Sequence, residues 1–418
     1  MVVVVALIML ALAAAACRGR RRPSSLDEHA REYVRLAVAL GERDPDSLDF
    51  YTGPDSLVAG VRRTPPTLAA IGQDAAALSS RLSRETSADP ANGARTRGLG
   101  VDLAALAARV DLLTGTRLPY DQESRAFFGI APGPLDTRRL TEVRSQVAEI
   151  VGHGGRLVDR YAAFAQRFTI PGDRLPAVMA ASVEECRRRT VAHLALPPGE
   201  QVRLEFVRDR PWSAYSRYLG GARSVLQINT DFRFTVDQAL QVACHEGYPG
   251  HHARNALREP QAAATSIEPE RWVQLMFSQS SLVSEAAAMV AADVAFTPAE
   301  RVRFEHDRLF ALAGLAAVGV EQHVAVERLV GELQIIQADV ARRYLDGTLE
   351  FVRAVTTLED EALVPHAEAA MKYVNQYRSY VTTYTAGRDV FAAALAACAG
   401  AHPTEDGRWH CFGEEMVR

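Results

Sequence analysis

Cys244-His245-Glu246-Gly247-Tyr248-Pro249-Gly250-His251-His252, CHEGYPGHH, starts as a zinc-protease helix starts and then departs from it. His-Glu on a helix supplies one imidazole for a metal and a carboxylate beside it for the attacking water. The usual HExxH spacing puts a second histidine four residues on, on the same helix face. That position is Pro249, and the next histidines are His251 and His252. On a straight helix His251 points about 120° away from His245, and His252 lies about 10 Å further along the axis. Pro249 removes a backbone donor and Gly250 frees the backbone, so a bulge or kink is expected there. A spacing of six then does the work of a spacing of four. His251 is the favoured second ligand, with His252 as the alternative.

Thr235 followed three residues later by Gln238 is a capping box, which predicts the start of this helix. Upstream, Val202, Leu204 and Phe206 alternate with charged residues, and WSAYSRYL, Gly220-Gly221 and ARSVLQIN read as a hairpin. A small antiparallel β-sheet is therefore expected beside the metal helix. The rest reads as helices: Leu68–Leu82, Leu99–Leu113, Leu140–Phe168 and Leu175–Leu194 before the sheet, with no strand between 23 and about 195. Trp272–Phe296, Pro298–Val318, Glu321–Tyr344, Leu358–Tyr384 and Asp389–Cys398 follow it. The fold class is mainly α. An N-terminal helical region (23–195) and a metal-binding region (196–418) are expected to pack as one unit.

The chain has 418 residues and a formal charge of −4, and no basic patch points to nucleic acid. Residues 1–22 open with an apolar run to Cys17 that is too short for a typical membrane span and suits a signal segment. Its small residues before Cys17 match a lipoprotein-type leader, which implies export, as a periplasmic or membrane-anchored lipoprotein with a lipid on Cys17; the alternative is an uncleaved N-terminal anchor. Cys398 and Cys411 flank a short polar loop and are expected to pair. Cys186 and Cys244 read as buried thiols.

HEGYPGHH resembles the HExxPGHH signature of the bacterial family called domain of unknown function 885, which is similar to the gluzincin peptidases. The resemblance implies a zincin-like helical architecture, one zinc ion, and a third ligand on a later helix. SLVSEAAAMVAA at 281–292 resembles that helix and makes Glu285 the ligand, although Ala286 and Ala287 stand where the family has a glycine and a bulky residue. Near the C-terminus, Tyr384 and Gly387 match the family's Tyr-x-x-Gly, but its Pro-Gly-Gln is missing. Tyr384 is thereby a candidate oxyanion donor. Asn229 lies in a stretch similar to a family strand, and Arg388 follows Gly387; both are candidate substrate contacts.

These readings make the chain an expected zinc metallopeptidase. His245, His251 and Glu285 would hold the ion, Glu246 would act as general base, and a peptide would lie along the ARSVLQIN strand at 222–229. The alternative is a zinc-stabilised binding or scaffold protein at the cell surface without catalysis, motivated by the altered residues after Glu285 and the missing Pro-Gly-Gln.

Overall fold

The computed structural model describes residues 25–85, 89–210, 212–264 and 268–417. The leader and Cys17 lie outside the described residues. The chain is mainly helical and carries two small sheets.

The N-terminal half runs α1 (Ser25–Arg43), β1 (Leu48–Tyr51), α2 (Asp55–Arg63), α3 (Leu68–Leu82), α4 (Pro90–Leu113), α5 (Tyr120–Phe128), α6 (Thr137–Val151), α7 (Leu157–Gln166) and α8 (Leu175–Val191). The span expected to be one helix from 140 to 168 is two, because Gly152, Gly154 and Gly155 take positive φ between them. β1 corrects the expectation of no strand in this half. It pairs antiparallel with β5 (Val273–Leu275), with Leu48 opposite Leu275 and Tyr51 opposite Val273. The register shifts between Leu48 and Phe50, so Asp49 sits in a β-bulge. Val273 and Leu275 also pack into the small core of α1, α3 and α4.

The second sheet has the order β2 (Gln201–Val207), β4 (Arg223–Asn229), β3 (Ala214–Gly220). β3 and β4 form the antiparallel hairpin read from the sequence, but it turns one residue later than the Gly-Gly pair, at Gly221 and Ala222, both at positive φ. β2 joins β4 from the other side and runs parallel to it. β4 is thus the central strand, and β3 presents a free edge within this sheet.

α9 (Val236–Glu246) begins with the Thr235–Gln238 capping box and stops at Glu246. α10 (His251–Ala264) starts five residues later. After β5 come α11 (Gln279–Ala295), α12 (Pro298–Phe304), a π-helical turn (Glu305–Leu309) and α13 (Phe310–Ala313). The expected helix from 272 thus begins as a strand, and its helical part starts at the Ser278 cap. α14 (Val320–Leu333), α15 (Ile335–Leu345), α16 (Phe351–Ala362), α17 (Glu368–Tyr377), a π-helical turn (Thr383–Gly387), α18 (Arg388–Ala401) and α19 (Glu405–Val417) complete the chain.

The main core draws residues from both halves, from Tyr120 to Met416, around α9 and α11. A third cluster of Phe127, Phe128, Phe277, Leu282, Tyr377 and Tyr380 lies under the cleft described next. Two disulfides cross-link the chain. Cys398–Cys411 joins α18 to α19, as expected. Cys186–Cys244 joins α8 to α9 and corrects the reading of two free thiols: the packing of α8 on α9 brings their Cα atoms to 5.5 Å.

A candidate metal centre

The helix carrying His245 does not kink at Pro249; it ends. Glu246 is its last residue, Tyr248-Pro249 is a cis peptide, and His251 opens the next helix. Gly250 makes the reversal sterically feasible. Its N–H donates to the Cys244 carbonyl at 3.0 Å, and a Cβ there would stand 1.9 Å from the His245 carbonyl oxygen. The chain thereby folds back and sets the first residue of α10 beside the last turn of α9. The two imidazoles meet edge to face with centroids 4.8 Å apart.

α11 brings the carboxylate. Glu285 Oε2 lies 3.4 Å from His245 Nε2 and 3.6 Å from His251 Nε2, and the ligand atoms of the three residues all fall within 4.8 Å of one another. Zinc bonds of about 2.0–2.2 Å in a tetrahedron hold donor atoms roughly 3.3–3.6 Å apart. Two imidazole nitrogens and one carboxylate oxygen are also a common zinc donor set. Glu285 Oε1 accepts a hydrogen bond from the Tyr380 hydroxyl at 2.9 Å, whereas the buried Oε2 has no hydrogen-bond partner. An orphan carboxylate oxygen facing two imidazoles is what a cation-binding pocket leaves when described by its protein atoms alone. His251 Nδ1 pairs with Ser284 Oγ at 3.0 Å, which orients the ring from behind.

His252 points the other way. It is fully buried, its Nδ1 pairs with Ser224 Oγ at 2.8 Å, and its Nε2 faces Glu200 at 3.1 Å. Glu200 also takes the Tyr248 hydroxyl and the Arg187 guanidinium. Both nitrogens of His252 are committed to anchoring the reversal, so geometry sets His251, not His252, with His245 and Glu285.

Electrostatics bind the three groups together. Burial opposes ionisation of Glu285, but the two histidines outweigh it and hold its carboxyl well below the usual range. Burial likewise opposes the charge on His251, and Glu285 overrides it, raising the imidazole to about 9. Burial pushes Glu246 up, with His245 and His251 pulling the other way.

These residues line a cleft of about 240 Å³. Glu246 is on its wall, and so is Tyr384, whose hydroxyl pairs with that of Tyr373 at 3.0 Å. Tyr384 belongs to the π-helical turn packed on α11. Ala286 and Ala287 face the main core and do not line the cleft.

Two expected contacts are corrected. Asn229 is fully buried, and its amide donates to the carbonyls of Arg210 and Trp212, so it shapes the loop before β3 and does not line the cleft. Arg388 donates to the Gly331 carbonyl and to Asp389, and lines a separate groove. A peptide also finds no room on β4, because β2 and β3 occupy both its sides. The free edge beside the candidate metal ligands belongs to β3, whose Ala214, Tyr215 and Ser216 line the cleft. Tyr380, Asp49 and Asn255 were missed. Asn255 had a usable signal, four residues after His251 and so on the same helix face; Asp49 and Tyr380 had none.

No known family profile matches the chain, and no curated protein does either. Among the solved structures that resemble it are two described as a "putative lipoprotein". The one from Colwellia psychrerythraea superposes with a TM-score of 0.50 at 13% identity, over 87% of this chain and 69% of that one. The one from Shewanella oneidensis, of unknown function, gives 0.42 at 12% identity, over 87% and 76%. The first likeness speaks to the fold alone.

Proposed function

We propose that this protein is a zinc-dependent peptidase of the kind that its HExxPGHH resemblance implies. One observation carries the reading: His245, His251 and Glu285 converge from three helices, with one carboxylate oxygen facing both imidazoles and free of any hydrogen bond. Zinc held there supplies a Lewis acid for a peptide carbonyl and makes its water more acidic.

The chain's own residues supply the rest. Glu246, at the end of α9, takes a proton from the attacking water and passes it to the leaving amine. Burial favours its protonated form, which suits the carboxyl after that first transfer. Tyr384, on the cleft wall, donates a hydrogen bond to the oxygen that gains charge as the carbonyl is attacked. The substrate backbone pairs with the free edge of β3.

The test joins elemental analysis to a peptide-library digest. Purified protein should carry one zinc, and His245→Ala, His251→Ala and Glu285→Ala should lose it. Glu246→Gln should keep the metal and lose about 10²–10⁴ in rate. Full activity in Glu246→Gln sinks the assigned role. The alternative reading, a zinc-stabilised scaffold, predicts bound zinc and no product from any library. Its motive weakens because Ala286 and Ala287 lie away from the cleft.

Export belongs to the same proposal. The apolar run ending at Cys17 supports it, as do two disulfides of a kind that persists in oxidising compartments. A Cys17→Ser chain should then leave the membrane fraction; unchanged fractionation counts against a lipid on Cys17.

A further inference from the structure

The metal and its base account for four carboxylate and imidazole positions of the cleft wall and leave another acid unexplained. Asp49 lines the cleft, in the β-bulge of β1, where the ladder register breaks. Bulges re-aim side chains, and they concentrate beside active sites. Its Oδ2 accepts from the Gln274 amide at 2.7 Å and its Oδ1 from the Tyr215 hydroxyl at 3.2 Å. Both donors are neutral, and a carboxylate has room for more. Asp49 is half-buried, and the group of opposite charge that acts on it is His251, whose ring zinc would hold neutral.

The nearest arginine in this network does not meet Asp49. Arg254, itself buried, donates to Gln274 Oε1 at 2.9 Å and otherwise to the Met416 and Ser280 carbonyls and the Ser280 hydroxyl. Gln274 stands between guanidinium and carboxylate. Among the described residues, no lysine or arginine lines the cleft at all.

A second, independent observation points to a missing donor. Asn255 lines the same cleft, is only 5% exposed, and its Oδ1 has no hydrogen-bond partner. It lies one turn along α10 from His251. The cleft thus offers a carboxylate and a neutral amide that lacks a donor, with no lysine or arginine on its wall. Its small volume suits the end of a peptide better than the middle of a long chain.

We propose that Asp49, with Asn255, anchors the N-terminal ammonium of the substrate, so that the cleft takes short peptides by their free amino end. This rests on the peptidase reading and narrows it to cleavage close to that end. An ammonium offers three donors and a full positive charge, and so satisfies Asp49 and Asn255 together.

The test uses zinc-loaded Glu246→Gln protein, which should bind peptides without consuming them, and calorimetry with trialanine and N-acetyl-trialanine. Acetylation removes the charge and should weaken binding on the order of 10- to 100-fold. In the added Asp49→Asn variant that difference should shrink to a few-fold. Asn255→Ala should weaken the free-amine peptide and leave the acetylated one unaffected; it covers the case of a misfolded Asp49 variant. Library cleavage by the unsubstituted protein, together with equal or absent binding of the pair, overturns this inference alone. So does binding that tolerates the acetyl group and requires a lysine or arginine side chain. The absence of both cleavage and binding overturns the peptidase reading, and this inference with it.

Discussion

At the scale of single residues, His251 and His252 are neighbours with opposite duties, and substitution should separate them. His251→Ala removes a metal donor from the cleft wall, so zinc content should fall while the metal-free fold survives. His252→Ala empties a fully buried site and leaves Glu200 short of a partner. It should keep the three ligand residues but cost about 2–4 kcal/mol, read from denaturant unfolding. The ligands also fix a pH dependence. In the metal-free chain the folded pKa of His251, about 9, lies above its ordinary 6.5. The His251–Glu285 attraction is therefore present in full below about 6.5 and is lost as pH rises through 9. Zinc requires the neutral imidazole, so between those limits it must displace a proton. Calorimetric titration near pH 7.5, in buffers of different ionisation enthalpy, should report about one proton released per zinc, with affinity rising toward pH 9. Zinc uptake without proton release would count against this ligand.

At the scale of elements, the break between α9 and α10 is the decisive device. A Cβ on residue 250 would meet backbone oxygens, at 1.9 Å for His245 and 2.6 Å for Cys244, and no side chain can swing aside to admit it. Gly250→Ala should therefore cost on the order of 3 kcal/mol and lower zinc occupancy, measured by thermal unfolding and metal analysis. The sequence allowed part of this to be seen. Pro249-Gly250 announced a disturbed helix, but a kink and a full chain reversal share that signature. Long amphipathic helices such as Leu68–Leu82 were legible to the residue. β1 and β5 were not: with four and three residues they are too short for a period to show, and each exists because the other pairs with it. Site residues followed the same rule. Those in the motif or on the α11 glutamate helix could be read. Asp49 and Tyr380 reach the cleft through tertiary packing alone. Asn229 was misread because a strand residue next to a site need not face it.

At the scale of the whole molecule, the cleft is assembled from distant segments: β1, β3, the α9–α10 reversal, α11 and the C-terminal tyrosines. The Cys186–Cys244 bridge ties α8 to the helix that ends in His245 and Glu246, across 58 residues. The chain-entropy account assigns such a loop about 4 kcal/mol. Reduction, or paired replacement of both cysteines by alanine, should lower the unfolding temperature and loosen zinc retention under chelator. Unchanged melting after verified reduction would remove the bridge from the account of stability.

The same bridge bears on which atoms compete for the metal. Cys244 directly precedes His245, and a free thiolate is a stronger and softer zinc ligand than a carboxylate. In a reduced, incompletely folded chain, Cys244 with His245, and Cys186 once α8 docks, would offer zinc or copper a rival coordination sphere. Oxidation removes both sulfurs from that contest. Under the proposed zinc reading, a chain whose cysteines pair before metal arrives offers it His245, His251 and Glu285 with no thiolate beside them, so the order of the two events would decide the choice of ligands.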